Sequence, residues 1–279
     1  GGALAAIDAA PYLANCKLSG NRALLYGGAV YNHESTVTLA SCLLTGNSVG
    51  SNGAGGGAAV CTIGSDGTQT IVSNCTLADN RGPWPDDTAV FAFSYSSTPL
   101  PTAMVRIENS IVYNDGGDTL LWSSTLSGIT ASYSLIQGGW TGTGNLNAAP
   151  QFVARGVWSI EGEWLDEGSD YHVQSTSPAI DHGSNSLIPT DRADVDHDGD
   201  TSERHPLDLA GEDRVQGGHV DSGAYEHRAG SGPQPVWQEL RTFEITFDVP
   251  SGVSHPAMLN GAYSHQIETN FLAELKLEV

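Results

Sequence analysis

One seven-residue phrase returns along the chain, and it constrains the fold more than any other feature. Asn15-Cys16-Lys17-Leu18-Ser19-Gly20-Asn21 recurs as Ser41-Cys42-Leu43-Leu44-Thr45-Gly46-Asn47, then as Asn74-Cys75-Thr76-Leu77-Ala78-Asp79-Asn80. Asn109-Ser110-Ile111-Val112-Tyr113-Asn114 is a fourth copy, and Tyr133-Ser134-Leu135-Ile136-Gln137 a weaker fifth. A second element, Gly1-Gly2-Ala3-Leu4, precedes the first copy at the distance at which Gly27-Gly28-Ala29-Val30 precedes the second. Gly56-Gly57-Ala58-Ala59-Val60 is a version one residue longer. Cys16, Cys42 and Cys75 stand 26 and then 33 residues apart, so length varies in loops while the strand cores stay fixed. Self-similarity at such a period marks units that bury their apolar faces only against their neighbours.

Each unit reads as strand, bend, strand, turn. Val37 and Leu39 share a side ahead of Cys42, as Val105 and Ile107 do ahead of Ser110. The inward set then changes parity and continues at Cys42 and Leu44, or at Ser110 and Val112. A period-2 pattern that shifts phase marks a corner between two strands. Small inward residues suit a narrow interior. The expected fold is all-β: a right-handed parallel β-helix over residues 1–152, with every backbone group paired to the coil above and below. At about 4.8 Å per coil, five coils make a rod about 25 Å long. Asn21, Asn47, Asn80 and Asn114 should form a ladder along one turn, each side chain bonding the next. Cys16, Cys42 and Cys75 share an inward position and read as a buried thiol ladder. Neither a C-x-x-C pair nor a His at zinc spacing accompanies them or Cys61.

The Gly-Gly-Ala-Leu/Val elements followed by Cys-x-Leu-x-Gly-Asn resemble the polymorphic outer-membrane-protein repeats of bacterial surface proteins, though the Phe-x-x-Asn element of those repeats is missing. Gly138-Gly139-Trp140-Thr141-Gly142-Thr143-Gly144-Asn145 with Pro150-Gln151-Phe152 is similar to the coil ends of large secreted β-helix proteins of planctomycete-like environmental bacteria. Residues 177–226 contain Ser177-Pro178-Ala179-Ile180-Asp181, Pro206-Leu207-Asp208-Leu209-Ala210-Gly211 and Val220-Asp221-Ser222-Gly223-Ala224-Tyr225-Glu226. They resemble the choice-of-anchor C-terminal module of the same secreted proteins. The resemblance implies a secreted or cell-surface address, and an acidic capping or anchoring module over residues 153–230.

Within that module Asp194, Asp196, Asp198 and Asp200 alternate, and Gly199 permits a sharp turn. Four carboxylates this close are unfavourable unless a hard cation neutralises them, and oxygen ligands at D-x-D-x-D-G spacing suit Ca²⁺. His205 stands at the twelfth position, where an EF-hand places Glu. Glu203 is therefore expected to close a shorter loop, with Asp191 or Asp208 as an extra donor, in a structural role. Gly230-Ser231-Gly232-Pro233-Gln234-Pro235 reads as a linker. In the tail, 231–279, Phe243, Ile245 and Phe247 alternate with polar residues, as do Leu275 and Leu277. These are two half-buried strands, expected to pack on their own rod or to pair with a neighbouring subunit by strand addition.

The charge balance removes several functions. There are 32 Asp+Glu against 11 Lys+Arg, a net charge of −21. Nucleic-acid binding needs clustered cations, and an anionic sugar polymer would be repelled. No apolar run reaches the roughly 18 residues of a membrane span. The chain starts at Gly1 without a signal peptide, which reads as a processed form or a fragment. No nucleophile elbow, phosphate loop or dinucleotide fingerprint occurs. Asp86, Asp87, Asp115 and Asp118 sit beside Pro- or Gly-rich turns and read as loop acids, so no catalytic set is assigned. The expected function is a non-catalytic extracellular or cell-surface structural or adhesive protein. Its partners would be other envelope components or further copies, joined head to tail into a filament through uncapped coil edges. The alternative is a carbohydrate-active β-helix, a polysaccharide lyase, a hydrolase or a glycan-binding module, with Trp84, Trp122 and Trp140 as candidate contacts.

Overall fold

The structure is a computed structural model. It describes residues 1–50, 56–82, 88–95, 104–114, 121–124 and 128–228, with four two-residue strands in the tail. Three parallel five-stranded sheets form a β-solenoid. The first sheet stacks Leu4–Ile7, Val30–His33, Val60–Gly64, Val90–Ser94 and Leu121–Ser123. The second stacks Tyr12–Ala14, Thr36–Ala40, Gln69–Ser73, Val105–Glu108 and Ile129–Ser132. The third stacks Lys17–Ser19, Leu43–Thr45, Thr76–Ala78, Ile111–Tyr113 and Leu135–Ile136.

The register is like on like. Leu18, Leu44, Leu77, Val112 and Ile136 are successive partners in the third sheet. Leu13, Leu39, Val72, Ile107 and Ala131 are successive partners in the second. With Val30, Val60, Val90 and Leu121 of the first sheet they fill the interior. The parity change falls on one residue per coil. Asn15, Ser41, Asn74, Asn109 and Tyr133 take φ angles between 47° and 52°. A single left-handed residue turns the chain and exchanges which side chains face inward.

That corner would orphan the next amide, and the ladder residues receive it. Cys42 N–H donates to Cys75 Sγ at 3.3 Å, Cys75 N–H to Ser110 Oγ at 3.1 Å, and Ser110 N–H to Ser134 Oγ at 3.0 Å. Cys16 occupies the same position in the first coil, and all four cysteines are free thiols. The hydrogen bond to Cys42, and then burial, push the Cys16 thiol up; burial alone does so for Cys61. Cys61 lies outside this row, in the first sheet between Tyr31 and Phe91.

The asparagines make a second ladder at the turn after the third sheet. Asn47 Oδ1 accepts from Asn21 N–H at 3.0 Å and from Asn21 Nδ2 at 2.9 Å. Asn80 Oδ1 does the same for Asn47, at 3.0 and 2.8 Å. Asn114 Oδ1 accepts from Asn80 N–H at 2.9 Å, and Gln137 Oε1 accepts from Asn114 N–H at 3.0 Å. Gln137 thus replaces asparagine in the fifth copy.

The far end of the interior is plugged. Trp140 packs against the interior cluster and donates its indole N–H to Ile129 O at 3.2 Å. Thr143 O, Asn145 Oδ1 and Leu146 O accept the edge amides of Tyr133, Ser134 and Ile136. Trp140 is therefore a plug, where the sequence suggested a glycan contact: its loop folds back under the last coil because the exposed edge amides need acceptors.

Residues 152–228 roof the outer face of the third sheet. Antiparallel pairs join Phe152–Ala154 to Asp170–Val173 and Val157–Trp158 to Trp164–Leu165, and the rest is turns with one 3₁₀ turn at Asn185–Leu187. Leu43, Ala78, Ile111 and Leu135 from the sheet form a second core with Phe152, Tyr171, Leu209 and Tyr225. Gly46, at φ +58°, leaves the space that Trp164 fills, since a Cβ there would lie 1.9 Å from the indole. In the tail Ile245–Thr246 pairs with Leu272–Ala273, and Met258–Leu259 with Ala262–Tyr263. Phe243, Phe247, Leu275 and Leu277 lie outside the described residues.

Asn47 is fully buried and its amide nitrogen also bonds Leu18 O at 2.8 Å. Replacing it by alanine leaves several buried groups unpaired. Asn47→Ala should cost roughly 2–4 kcal/mol in guanidinium unfolding, against less than about 1 kcal/mol for the exposed Thr130→Ala.

Candidate functional site

The acidic module meets the rod along one line, the row of left-handed corners. Asn15 Nδ2 donates to Asp208 O at 2.8 Å. Arg214 Nη1 donates to Ser41 Oγ at 3.2 Å. Ser73, next to the corner Asn74, donates its hydroxyl to Leu187 O at 3.1 Å. Asn109 exchanges two bonds with Ser184, at 3.0 and 2.8 Å. Ser222 Oγ donates to Tyr133 O at 2.9 Å. A corner exposes a short polar side chain or a free carbonyl in every coil, so a strap of irregular backbone finds partners there at each step.

Behind these contacts lies a buried charged group. Arg214 is 2% exposed and donates from Nε and Nη2 to Glu226 Oε1, at 3.1 and 2.5 Å. The same Oε1 accepts from Asp221 N–H at 3.0 Å. Asp208 caps the amides of Ala210, Glu212 and Glu226, and Asp221 those of Asp181 and His227. Three buried carboxylates share one guanidinium. Burial pushes Glu226 up to about 7, with Arg214 opposing. Burial also raises Asp208 and Asp221.

The loop of alternating aspartates follows the first-coil end of this line. Asp194 and His197 take positive φ, and Asp194 Oδ1 accepts from Gly199 N–H at 3.1 Å. Two groups of carboxylates converge, Asp191 with Asp196 and Glu203, and Asp194 with Asp196 and Asp198, their oxygens within 4.8 Å of one another. Asp196 belongs to both. Asp200 belongs to neither, because its Oδ1 is taken by Ser202 N–H and Oγ, at 2.9 and 2.6 Å, which lower its pKa. Of the two extra donors read from sequence, Asp191 joins the loop, while Asp208 belongs to the Arg214 group.

The donor set is all oxygen, as a hard cation requires. Glu203 Oε1 is shielded from solvent and has no hydrogen-bond partner. Loss of hydration and the charges of Asp198, Asp196, Asp200 and Asp191 push this carboxyl up, a strain that a cation would relieve. The residues present therefore fit Ca²⁺. Asp191 is fully buried, and its Oδ2 accepts from Val195 N–H at 2.8 Å. His205 Nδ1 lies 3.5 Å from Asp191 Oδ1, and His205 Nε2 bonds Asn15 Oδ1 at 2.8 Å. Burial lowers His205 to about 4, with the Asp191 carboxylate opposing.

The three tryptophans read as glycan contacts separate. Trp140 is the end plug, Trp122 stands in the outer row of the first sheet, 38% exposed, and Trp84 lies outside the described residues. So do Asp86, Asp87, Asp115 and Asp118. The Arg214–Glu226 pair has no signal in the sequence, since Arg192 and Arg204 share the same acidic segment. No helix among the described residues is long and apolar enough to cross a membrane. No known protein-family model, curated protein or solved structure matches this chain.

The sign of the Glu226 shift fixes a pH response. A carboxyl whose folded pKa lies above its unfolded value holds its proton more tightly when folded. Its stabilising contribution is fully present below about 4.5 and is lost as pH rises through about 7. Between these limits the native chain should lose roughly 1–3 kcal/mol relative to Glu226→Gln, read from denaturant midpoints at the two pH values. A native chain that gained on the variant would reverse the assignment.

Proposed function

We propose that this chain is a non-catalytic structural or adhesive β-solenoid of the bacterial exterior, strapped by an acidic module whose loop binds a structural Ca²⁺. The observation that carries this reading is how the buried charges are used. Asp191, Asp208, Arg214, Asp221 and Glu226 are all buried, and their bonds go to backbone amides, to corner residues or to each other. They order the module, and the group reaches the rod through Arg214 at Ser41 and through the Asp208 carbonyl at Asn15. Groups poised for proton transfer to a substrate would instead line a cleft.

The extracellular address draws on the resemblance to secreted β-helix proteins and on the acidic loop, whose ligands suit the millimolar Ca²⁺ found outside cells. Asp194, Asp196, Asp198, Asp191 and Glu203 would hold the ion, which supplies charge neutralisation and order to the loop. Adhesion would use the rigid acidic surface, toward other envelope components or further copies. Plain head-to-tail stacking has weaker support, because Thr143, Asn145 and Leu146 already occupy edge amides at one end. Strand exchange through the tail strands of Phe243, Ile245, Phe247, Leu275 and Leu277 is the other self-association route.

Calcium should raise the melting midpoint, by an amount equivalent to about 2.7 kcal/mol at a hundredfold excess over Kd. Chelation with EGTA should reverse it. Asp196→Asn, which touches both carboxylate groups, should abolish the response while leaving the β circular-dichroism spectrum intact. An unchanged midpoint would remove the ion from the proposal. Incubation with alginate, pectin and neutral glycans should release neither reducing ends nor unsaturated products; steady turnover of any of them would sink the scaffold reading.

A further inference from the structure

The three outer faces of the rod are unequal. The third sheet is roofed by the module, whereas the first sheet presents an aromatic and aliphatic surface. Tyr31, Cys61, Phe91 and Trp122 are successive register partners. Ile7, His33, Ile63 and Phe93 form the parallel row two residues on. Phe93 is 39% exposed, Trp122 38% and Tyr95, at the rim, 51%. Phe91 and Trp122 stack face to face, their centroids 4.4 Å apart and their planes 8° from parallel. Among the described residues Leu121–Ser123 is the last strand of this sheet, and no further rung of it covers the second face of the indole.

The rim is polar. Glu34 accepts from Ser65 Oγ at 3.0 Å, from Thr68 Oγ1 at 2.9 Å and from the Tyr95 hydroxyl. The His33 ring lies 6.3 Å from that of Tyr95. Neither row contains a lysine or an arginine.

Size and charge choose the occupant. Strands about 4.8 Å apart and three residues of each give a face of roughly 200 Å². A stable protein partner covers about 800 Å² on each side, several times the area of this face. An anionic ligand meets no cation here and a net charge of −21 overall. A neutral sugar chain has the required chemistry: C–H faces that lie on aromatic rings, and hydroxyls around the edge for carboxylate, phenol and imidazole groups. We propose that the outer face of the first sheet binds a neutral glycan, with one sugar ring seated on the second face of Trp122. This rests on the adhesive reading proposed above and adds to it a second, aromatic surface with a partner of stated chemistry.

The full-length chain would be titrated with cellohexaose, xylohexaose and laminarihexaose, with hexagalacturonate as the charged control, following heat and tryptophan fluorescence. At least one neutral hexasaccharide should bind and hexagalacturonate should not. Trp122→Ala should weaken binding at least tenfold and Phe93→Ala about threefold or more, while Ile160→Ser, at a module hairpin tip that is 98% exposed, should change nothing. Thermal melts verify that each variant is folded, and Phe93→Ala carries the test if Trp122→Ala is not. Failure of every neutral sugar, or equal binding by the folded Trp122→Ala and Phe93→Ala variants, overturns the proposal. So does hydroxyl-radical footprinting in which Trp122, Phe93 and Tyr95 are protected before ligand is added, since the tail or a second copy would then be the occupant. Turnover of a bound glycan sinks only the scaffold reading; absence of binding sinks only this one.

Discussion

Backbone amides in this rod can find partners only in the next coil. A strand of a solenoid has no hairpin neighbour, so its N–H and C=O groups are satisfied in register across about 4.8 Å or not at all. Register forces like onto like. A residue that serves as acceptor for the coil on one side must itself be served from the other, so one chemistry repeats along a row. The Asn21–Asn47–Asn80–Asn114 ladder ends on Gln137, an amide of the same kind. The thiols Cys42 and Cys75 hand over to the hydroxyls Ser110 and Ser134, which can accept the same inward amide. Where the rows stop, the edge needs another source of acceptors, and Thr143, Asn145 and Leu146 supply it around the Trp140 plug.

This rule explains which parts were legible in the sequence. The ladders and the interior rows were readable because stacking repeats them residue by residue, and the parity change at Cys42 and Ser110 located a corner that proves to be a single left-handed residue. The aromatic row was not readable. Tyr31, Cys61, Phe91 and Trp122 share one register position, yet they share no residue type, since an outward side chain answers to solvent and to its neighbours without an amide to serve. The packing of Trp140 was not readable for a related reason: it depends on where a non-repeating loop folds. In the module, the spacing of Asp194, Asp196 and Asp198 identified part of a carboxylate group, but the buried member, Asp191, and the diversion of Asp200 to Ser202 depend on turns with no periodic signature.

The module adds a second kind of adhesion. Leu43, Ala78, Ile111 and Leu135 supply apolar area to it, and burial of that area is non-directional. Burial alone does not specify which side-chain polar group of the rod meets which part of the module. The polar pins differ from coil to coil. Asn15 meets Asp208, Ser41 meets Arg214, Asn109 meets Ser184 and Tyr133 meets Ser222. A slip by one step would break each of these bonds, at about 0.5–1.5 kcal/mol apiece. The polar pins therefore set position, while the apolar contacts supply non-directional attraction.

The same geometry decides what a cation in the aspartate loop could influence. Asp191 is the only fully buried member of that group, and it faces His205, whose other nitrogen bonds the Asn15 corner of the first coil. The strap thus runs the length of the rod, from Asn15 at one end to Tyr133 at the other. Its first-coil end is the loop in which carboxylates crowd without enough hydrogen-bond donors. Ordering that loop would fix the Asp191 carboxylate, and through His205 the corner on which the first coil is pinned. An ion there would act on the attachment of the whole strap, because the corner row gives the module a continuous line of contacts and the loop lies at its end.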